Sequence, residues 1–251
     1  MKFCLHDIGQ QIDLSLKNHM IRKIWNQMQS EYGKRGELEI IMAENFYFTR
    51  ILKGVISKWS KGRLLDAGAG YLSRKKLLLP HCDEYKSCDR VKLNPELDAI
   101  CDLTEPLPFS ENYFDTVVNL SVVEHTRKPV EVLKNFQRVM KVGGCVILAA
   151  PFMFYEHGMP NDYYRFTENG IREIAVQAGF EVKEVIKFGG LLCSLAGLFS
   201  VGISIVLYAL RLKLFIPFFV KSLSWLCLFE PKTSRDIFYS MTISVLQKNE
   251  A

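Results

Sequence analysis

From Arg63 onward the sequence alternates short apolar runs with amphipathic helical stretches, and the first run leads directly into Gly68-Ala69-Gly70. Arg63–Ala67 reads as a strand, and residues 84–89, 98–102, 114–120 and 145–150 read as four more. Between the last two lies a helical pattern from Pro129 to about Met140, where proline suits a first helical turn. Gly143-Gly144 then reads as the turn back to the sheet. Thr167 is an N-cap candidate for a helix that ends near Gly179. Residues 181–187 and 241–247 complete the set of strands. Such alternation predicts a seven-stranded, mostly parallel α/β sheet with helices on both faces.

Upstream, Leu16, Met20, Ile21, Ile24, Trp25 and Met28 recur at helical spacing over residues 12–31. Ile41, Phe48, Ile51, Leu52, Val55 and Ile56 do the same over residues 39–59, with Gly33 and Gly36 between the two patterns. Faces of this kind pack on a core. Residues 1–60 are therefore expected to form a helical cap, 61–187 the main sheet, 188–235 an insertion and 236–251 the closing strand. The chain has 251 residues, 24% of them charged, which excludes a disordered polymer. A net charge of +5 permits an anionic surface but gives no reason to expect nucleic acid. The seven cysteines show no zinc or redox spacing. His81, Cys82 and Cys88 come nearest to a metal set, and no metal is expected. No apolar signal segment opens the chain, which points to the reducing cytoplasm.

In an open sheet of this type a ligand binds beyond the carboxyl ends of the strands, near the switch in strand order. Gly68 and Gly70 sit there, where missing side chains let backbone approach a ligand. The turn departs from a dinucleotide fingerprint, because Ser73 only partly supplies the third small residue. The acids are more telling. Asp89 ends the second strand, 19 residues after Gly70, where a carboxylate can accept both hydroxyls of a ribose. Asp102 ends the third, and with the adjacent Leu103 N–H can read an adenine edge. Asp66 is placed to hold an ammonium group, directly or through water. Together they suit a nucleoside bearing an amino-acid tail.

With these residues in view, the chain resembles the class I S-adenosylmethionine-dependent methyltransferases of the type 11 kind. The likeness runs over about residues 60–187 plus the closing strand. It is carried by Leu65-Asp66-Ala67-Gly68-Ala69-Gly70, Ser87-Cys88-Asp89, Cys101-Asp102-Leu103, Leu107-Pro108-Phe109 and Phe114–Val118. Val123-Glu124-His125 and Arg138–Gly144 add to it. One departure is Leu72, where many members have a third glycine. The resemblance implies a Rossmann-like fold and S-adenosyl-L-methionine as cofactor, held by Asp66, Gly68, Gly70, Asp89, Asp102, Leu103 and Asn119. The segment from His157 to Thr167 is similar to methyltransferases associated with bacterial surface-glycan biosynthesis, which implies a sugar or glycolipid hydroxyl as acceptor. Deprotonating a hydroxyl can use a base. His125, after the fourth strand, and His157, in the loop after the fifth, are the candidates, each with a structural or orienting role as the alternative. Asp162, Tyr163, Tyr164 and Arg165 either line the acceptor pocket or form a loop-anchoring network with Arg165 paired to an acid.

The chain's 49% hydrophobic content is concentrated late. No charge falls between Phe188 and Leu210, and a second apolar stretch runs to Phe229, interrupted by Arg211, Lys213, Pro217 and Lys221. The first stretch has the length of a membrane span, yet a single crossing would strand the closing strand on the wrong side. Two passes, or a re-entrant or in-plane helical hairpin over residues 188–229, satisfy that constraint, and basic flanks with Trp225 suit an anionic membrane surface. A buried lid or a homodimer surface is the alternative. Three functions follow: a methyltransferase of a glycan or glycolipid at the membrane, a soluble one acting on a lipophilic small molecule, and a non-catalytic cofactor-binding partner.

Overall fold

The structure, a computed structural model, describes residues 4–35 and 37–249. In chain order it contains α1 (Cys4–Arg35), α2 (Asn45–Trp59), β1 (Arg63–Ala67), α3 (Lys75–Leu78), β2 (Glu84–Asp89), β3 (Ala99–Ile100) and β4 (Phe114–Leu120). Then come α4 (Pro129–Val139), β5 (Met140–Pro151), α5 (Glu168–Gln177), β6 (Phe180–Phe188), α6 (Leu191–Ala209), α7 (Ile216–Ser224) and β7 (Met241–Lys248).

The seven strands form one sheet in the order β3-β2-β1-β4-β5-β7-β6. β1 to β5 pair in parallel, and β7 lies antiparallel between β5 and β6. The chain leaves β1 toward one edge and returns to β4 on its other side, so the switch point falls between β1 and β4. Alternation along the strands feeds two cores, one on each face. Leu64, Val118, Cys145, Ile147 and Ala149 meet α1 and α2 through Met28, Phe48, Leu52 and Ile56. Leu65, Val117, Val146, Leu148 and Ala150 meet α4 and α5 through Val132, Leu133, Phe136 and Ile171. This is the Rossmann-like sheet with an N-terminal helical cap and an apolar helical insertion before the last strand.

Three details differ from the sequence expectation. Residues 98–102 shrink to Ala99–Ile100, because Asp98 turns its carboxylate onto the Ser87 N–H and hydroxyl (2.9 and 2.7 Å) and Asp102 accepts from Thr104. Gly143-Gly144 is not a turn. β5 starts at Met140 and passes through both glycines in an irregular register, with Gly143 at φ +76 and Gly144 against the Asp115 and Lys141 carbonyls. The 39–59 pattern is broken, with a short 3-10 turn at Leu38–Ile41 before α2. The break seats Ala43, whose N–H donates to Ser200 Oγ at 3.0 Å, and the buried Glu44. Gly33 lies inside α1, and Gly36 and the Leu16 side chain lie outside the described residues.

The insertion is two packed helices. α6 turns Cys193, Ala196, Gly197, Ser200, Val201 and Ser204 inward, against the cap and α7. Its other side carries Leu195, Leu198, Phe199 and Val206, all exposed. α6 is long and apolar enough to cross a membrane, with mean hydropathy 2.2, but one face is packed on the rest of the protein.

Candidate active site

The carboxyl ends of β1 to β4 open onto two adjoining cavities that share Gly68 and Ser121. The larger, about 710 Å3, is lined by Gly68, Asp89, Asp102, Leu103, His125 and Tyr163, among others. The smaller, about 310 Å3, is lined by Asp66, Gly68, Gly70, Tyr155 and His157, with Met42, Phe48 and Met241.

The glycine turn is built as expected. Gly68 has φ +86, and a Cβ there would run into Val122. Gly70 has φ +53 and open space where a side chain would be. Leu72 keeps the left-handed backbone despite its side chain, with φ +60, and is itself buried. Asp89 ties the turn to β2: Gly70 N–H donates to its Oδ2 at 2.8 Å and Val91 N–H to its Oδ1 at 3.2 Å. Each oxygen retains a lone pair for a ligand. Asp66 is buried and accepts the Tyr85 hydroxyl at 2.8 Å. Burial pushes its carboxyl up to about 6, opposed by the Tyr85 hydroxyl and reinforced by the charge of Asp89. Asp102 accepts both the N–H and the hydroxyl of Thr104 (2.9 and 2.7 Å), bonds that hold its carboxyl below the ordinary range.

Asn119 is not a lining residue of either cavity. It is fully buried and donates from Nδ2 to Ala67 O at 2.9 Å, fixing the end of β1 from behind. Of the four residues Asp162 to Arg165, only Tyr163 lines a cavity. Arg165 makes a two-pronged bond to Asp162 (2.6 and 2.7 Å) and also donates to Tyr155 O at 2.7 Å. Asp162 further accepts the His157 N–H at 2.8 Å. Burial alone would raise the Asp162 carboxyl, but Arg165 and the His157 N–H hold it at about 2. Tyr164 is partly exposed and donates to Arg127 O at 3.2 Å. This is the loop-anchoring network, and it sets the loop that presents His157.

His125 and His157 meet edge to face, with ring centroids 4.7 Å apart. Gly158, at φ +66, makes room: a Cβ there would lie 2.6 Å from His125 Cε1. Beside both rings lies Glu124, fully buried, with Oε1 3.9 Å from His125 Nε2 and 3.7 Å from His157 Nε2. Sequence reasoning gave Glu124 no role, and its signal was only an acid directly after the apolar Val122-Val123. Ser121 was also missed; it has φ +55 and stands where the two cavities meet.

Residues 76–148 match the sequence family described as a methyltransferase domain. A curated relative, the tRNA U34 carboxymethyltransferase of Sulfurovum sp. (strain NBC37-1), is 33% identical over 95 residues, or 33% of this chain and 31% of that protein. The match thus spans about a third of the relative's length. Among solved structures, phosphoethanolamine N-methyltransferase 2 of Haemonchus contortus, in complex with phosphomonomethylethanolamine and S-adenosylhomocysteine, superposes with a TM-score of 0.57 at 17% identity. That superposition covers 92% of this chain and 60% of that one. A 4+2 cyclase, SpnF, superposes at 0.55 and 14% identity, covering 80% of this chain and 81% of that one. The fold is that of the class I S-adenosylmethionine-dependent methyltransferases. The residues present fit that cofactor, with Asp89 and Asp102 on one cavity and Asp66 and the open cradle at Gly70 on the other. A cyclase on the same fold is a reminder that chemistry resides in the site.

Proposed function

We propose that the chain is an S-adenosylmethionine-dependent methyltransferase that acts on a hydroxyl of a small molecule, glycan or glycolipid, at the cytoplasmic face of a membrane. One observation carries the reading. The glycine turn and three strand-end acids meet on two cavities joined at Gly68 and Ser121, one carrying Asp89, Asp102, Leu103 and His125 and the other Asp66, His157 and several apolar side chains. The larger would hold the adenosyl part through Asp89, Asp102 and Leu103. Asp66 and the turn would hold the amino-acid tail. When bound, the cofactor supplies a methyl on a sulfonium, whose charge activates the carbon, so positioning supplies much of the rate. His125 and His157 serve the acceptor's proton, and Tyr163 borders the same space. Met42, Phe48, Phe154 and Met241 on the smaller cavity favour an acceptor with an apolar portion. The tRNA named for the curated relative is not carried over, because the match spans only about a third of that protein.

The insertion, residues 188–235, is read as the membrane-facing part. Phe199 is 62% exposed, Phe218 65%, Trp225 60% and Phe229 71%. The insertion's acid, Glu230, is buried and accepts Cys193 N–H at 2.9 Å, and Lys213 pairs with Glu31 at 2.7 Å, while Arg211 and Lys221 are exposed cations. An apolar face rimmed by cations fits an anionic lipid surface. A second copy would bring like charges together.

The test is incubation of the protein and host membranes with a methyl-labelled donor, then extraction and identification of the labelled product. A labelled glycan, glycolipid or lipophilic hydroxyl compound is expected. Cofactor binding without any labelled product would favour a non-catalytic partner. Labelling of RNA alone would overturn the acceptor class. Flotation with anionic vesicles tests the membrane: recovery as a free homodimer that ignores vesicles overturns that part.

A further inference from the structure

The two histidines and Glu124 have a geometry that proton transfer alone does not require. His125 Nδ1 lies 2.8 Å from Asn161 O, and His157 Nδ1 lies 3.2 Å from Tyr155 O. A carbonyl can only accept, so each Nδ1 donates there and the other nitrogen, Nε2, is the one each ring has left for a ligand. Both Nε2 atoms are turned to one place, with His125 Nε2 3.9 Å and His157 Nε2 3.7 Å from Glu124 Oε1. Glu124 is fully buried, and neither of its carboxylate oxygens has a hydrogen-bond partner among the described residues. An unpaired buried carboxylate costs several kcal/mol, so such groups are paired or coordinate a metal. Glu124, His125 and His157 each offer one ligand atom, and these atoms lie within 4.8 Å of one another, close enough to share one ion.

We propose that Glu124, His125 and His157 form a binding site for a divalent transition-metal ion of the zinc type. The donor set, two imidazoles and one carboxylate, is that of catalytic zinc sites, which keep a fourth position open. Ligating histidines ordinarily donate their other ring N–H to a carbonyl or carboxylate, as both do here. Bringing ligands to ~2.0–2.2 Å from a metal asks only a small contraction of a cluster whose loop already rests on Glu124, since Tyr163 N–H donates to Glu124 O at 3.0 Å. The site borders both cavities, through His125 on one and His157 on the other. Its use rests on the proposed function: with both Nε2 atoms on the ion, the histidines would act on the acceptor's proton through it, because a hydroxyl in the open position would lose its proton to water more readily. Binding of the ion does not depend on that reading.

The full-length chain, stripped with a chelator, is titrated with Co2+ and then with Zn2+ as competitor. The readouts are the visible absorption of low-coordinate Co2+ and the shift in melting temperature. One Co2+ per chain is expected, displaced by Zn2+, with a melting temperature that rises with metal. Glu124→Gln and His157→Ala should weaken Co2+ binding by more than the roughly 10–100-fold that loss of an outer partner costs. Glu124→Gln, freed of a buried unpaired charge, should melt no lower than the metal-free parent and gain nothing from Zn2+. Asp89→Ala should leave Co2+ binding unchanged while weakening S-adenosylmethionine. A wild-type chain that takes up no Co2+, or whose uptake is removed by His81→Ala and not by Glu124→Gln, overturns the metal site. If that chain still yields methylated product, the proposed function stands without it. Co2+ bound as described with no methylated product leaves the site standing and overturns the function.

Discussion

α4 and α6 are both amphipathic by burial and opposite by chemistry. α4 buries Val132, Leu133, Phe136 and Val139 and turns Glu131 and Lys134 to water. α6 buries small and hydroxylated residues and turns leucine and phenylalanine outward. Its inward serines are satisfied: Ser200 donates to Gly197 O at 2.7 Å, and Ser204 donates to Ile41 O at 3.3 Å. α4 is built for water on its outer side. α6 has the same periodicity with the large residues on the other side, so its outer surface is suited to an apolar phase.

The sharpest break of this contrast is a pair of phenylalanine substitutions. Phe136→Ala in α4 should cost about 3–5 kcal/mol in denaturant unfolding. Phe199→Ser in α6 should change stability by no more than about 0.5 kcal/mol and lower anionic-vesicle binding about tenfold or more, since a buried phenylalanine is worth about 1.5–3 kcal/mol. Equal losses of stability would place Phe199 in a core. Next is Glu44, on the inward side of α6, where it accepts the Ser240 hydroxyl at 2.8 Å. Burial pushes its carboxyl from the ordinary 4.5 up to about 7, against the pull of Ser240. The folded state therefore holds a proton that the unfolded chain releases. Its contribution is complete below pH 4.5 and is lost as pH rises to about 7, a fall of about 3 kcal/mol. Comparing the stability–pH curve with that of Glu44→Gln isolates the term, and identical curves would refute it. On the sheet side, Gly68→Ala combines backbone strain with a clash against Val122. Strain of about 1–3 kcal/mol should weaken S-adenosylmethionine about tenfold or more by calorimetry. Gly70→Ala faces open space and should do less.

The sheet was legible because its strands carry their own period and end in glycine or acid, so Arg63–Ala67, residues 84–89 and Phe114–Leu120 were found to the residue. Boundaries failed where side chains competed with the ladder, at Asp98, or where glycine permits a bulge, at Gly143. Asp66, Asp89, Asp102 and His125 reach the cavities because they lie at or just beyond strand ends, whereas His157 is presented by the anchored loop after β5. Asp162 and Arg165 had an even choice between loop anchor and pocket wall, and nothing local to the sequence decides it. Glu124 could not be read at all. The loop that carries His157 begins only after Pro151, and only the fold brings His157 to Glu124.

The central claim is that the strand-end acids and glycine turn form an S-adenosylmethionine site. Calorimetric titration of the chain and of Asp89→Ala with S-adenosylmethionine and with NAD tests it directly. One S-adenosylmethionine per chain is expected, with binding weakened about tenfold or more, or ~1.4 kcal/mol, by Asp89→Ala, and no competing NAD binding. No heat with S-adenosylmethionine, or binding indifferent to Asp89, would contradict it.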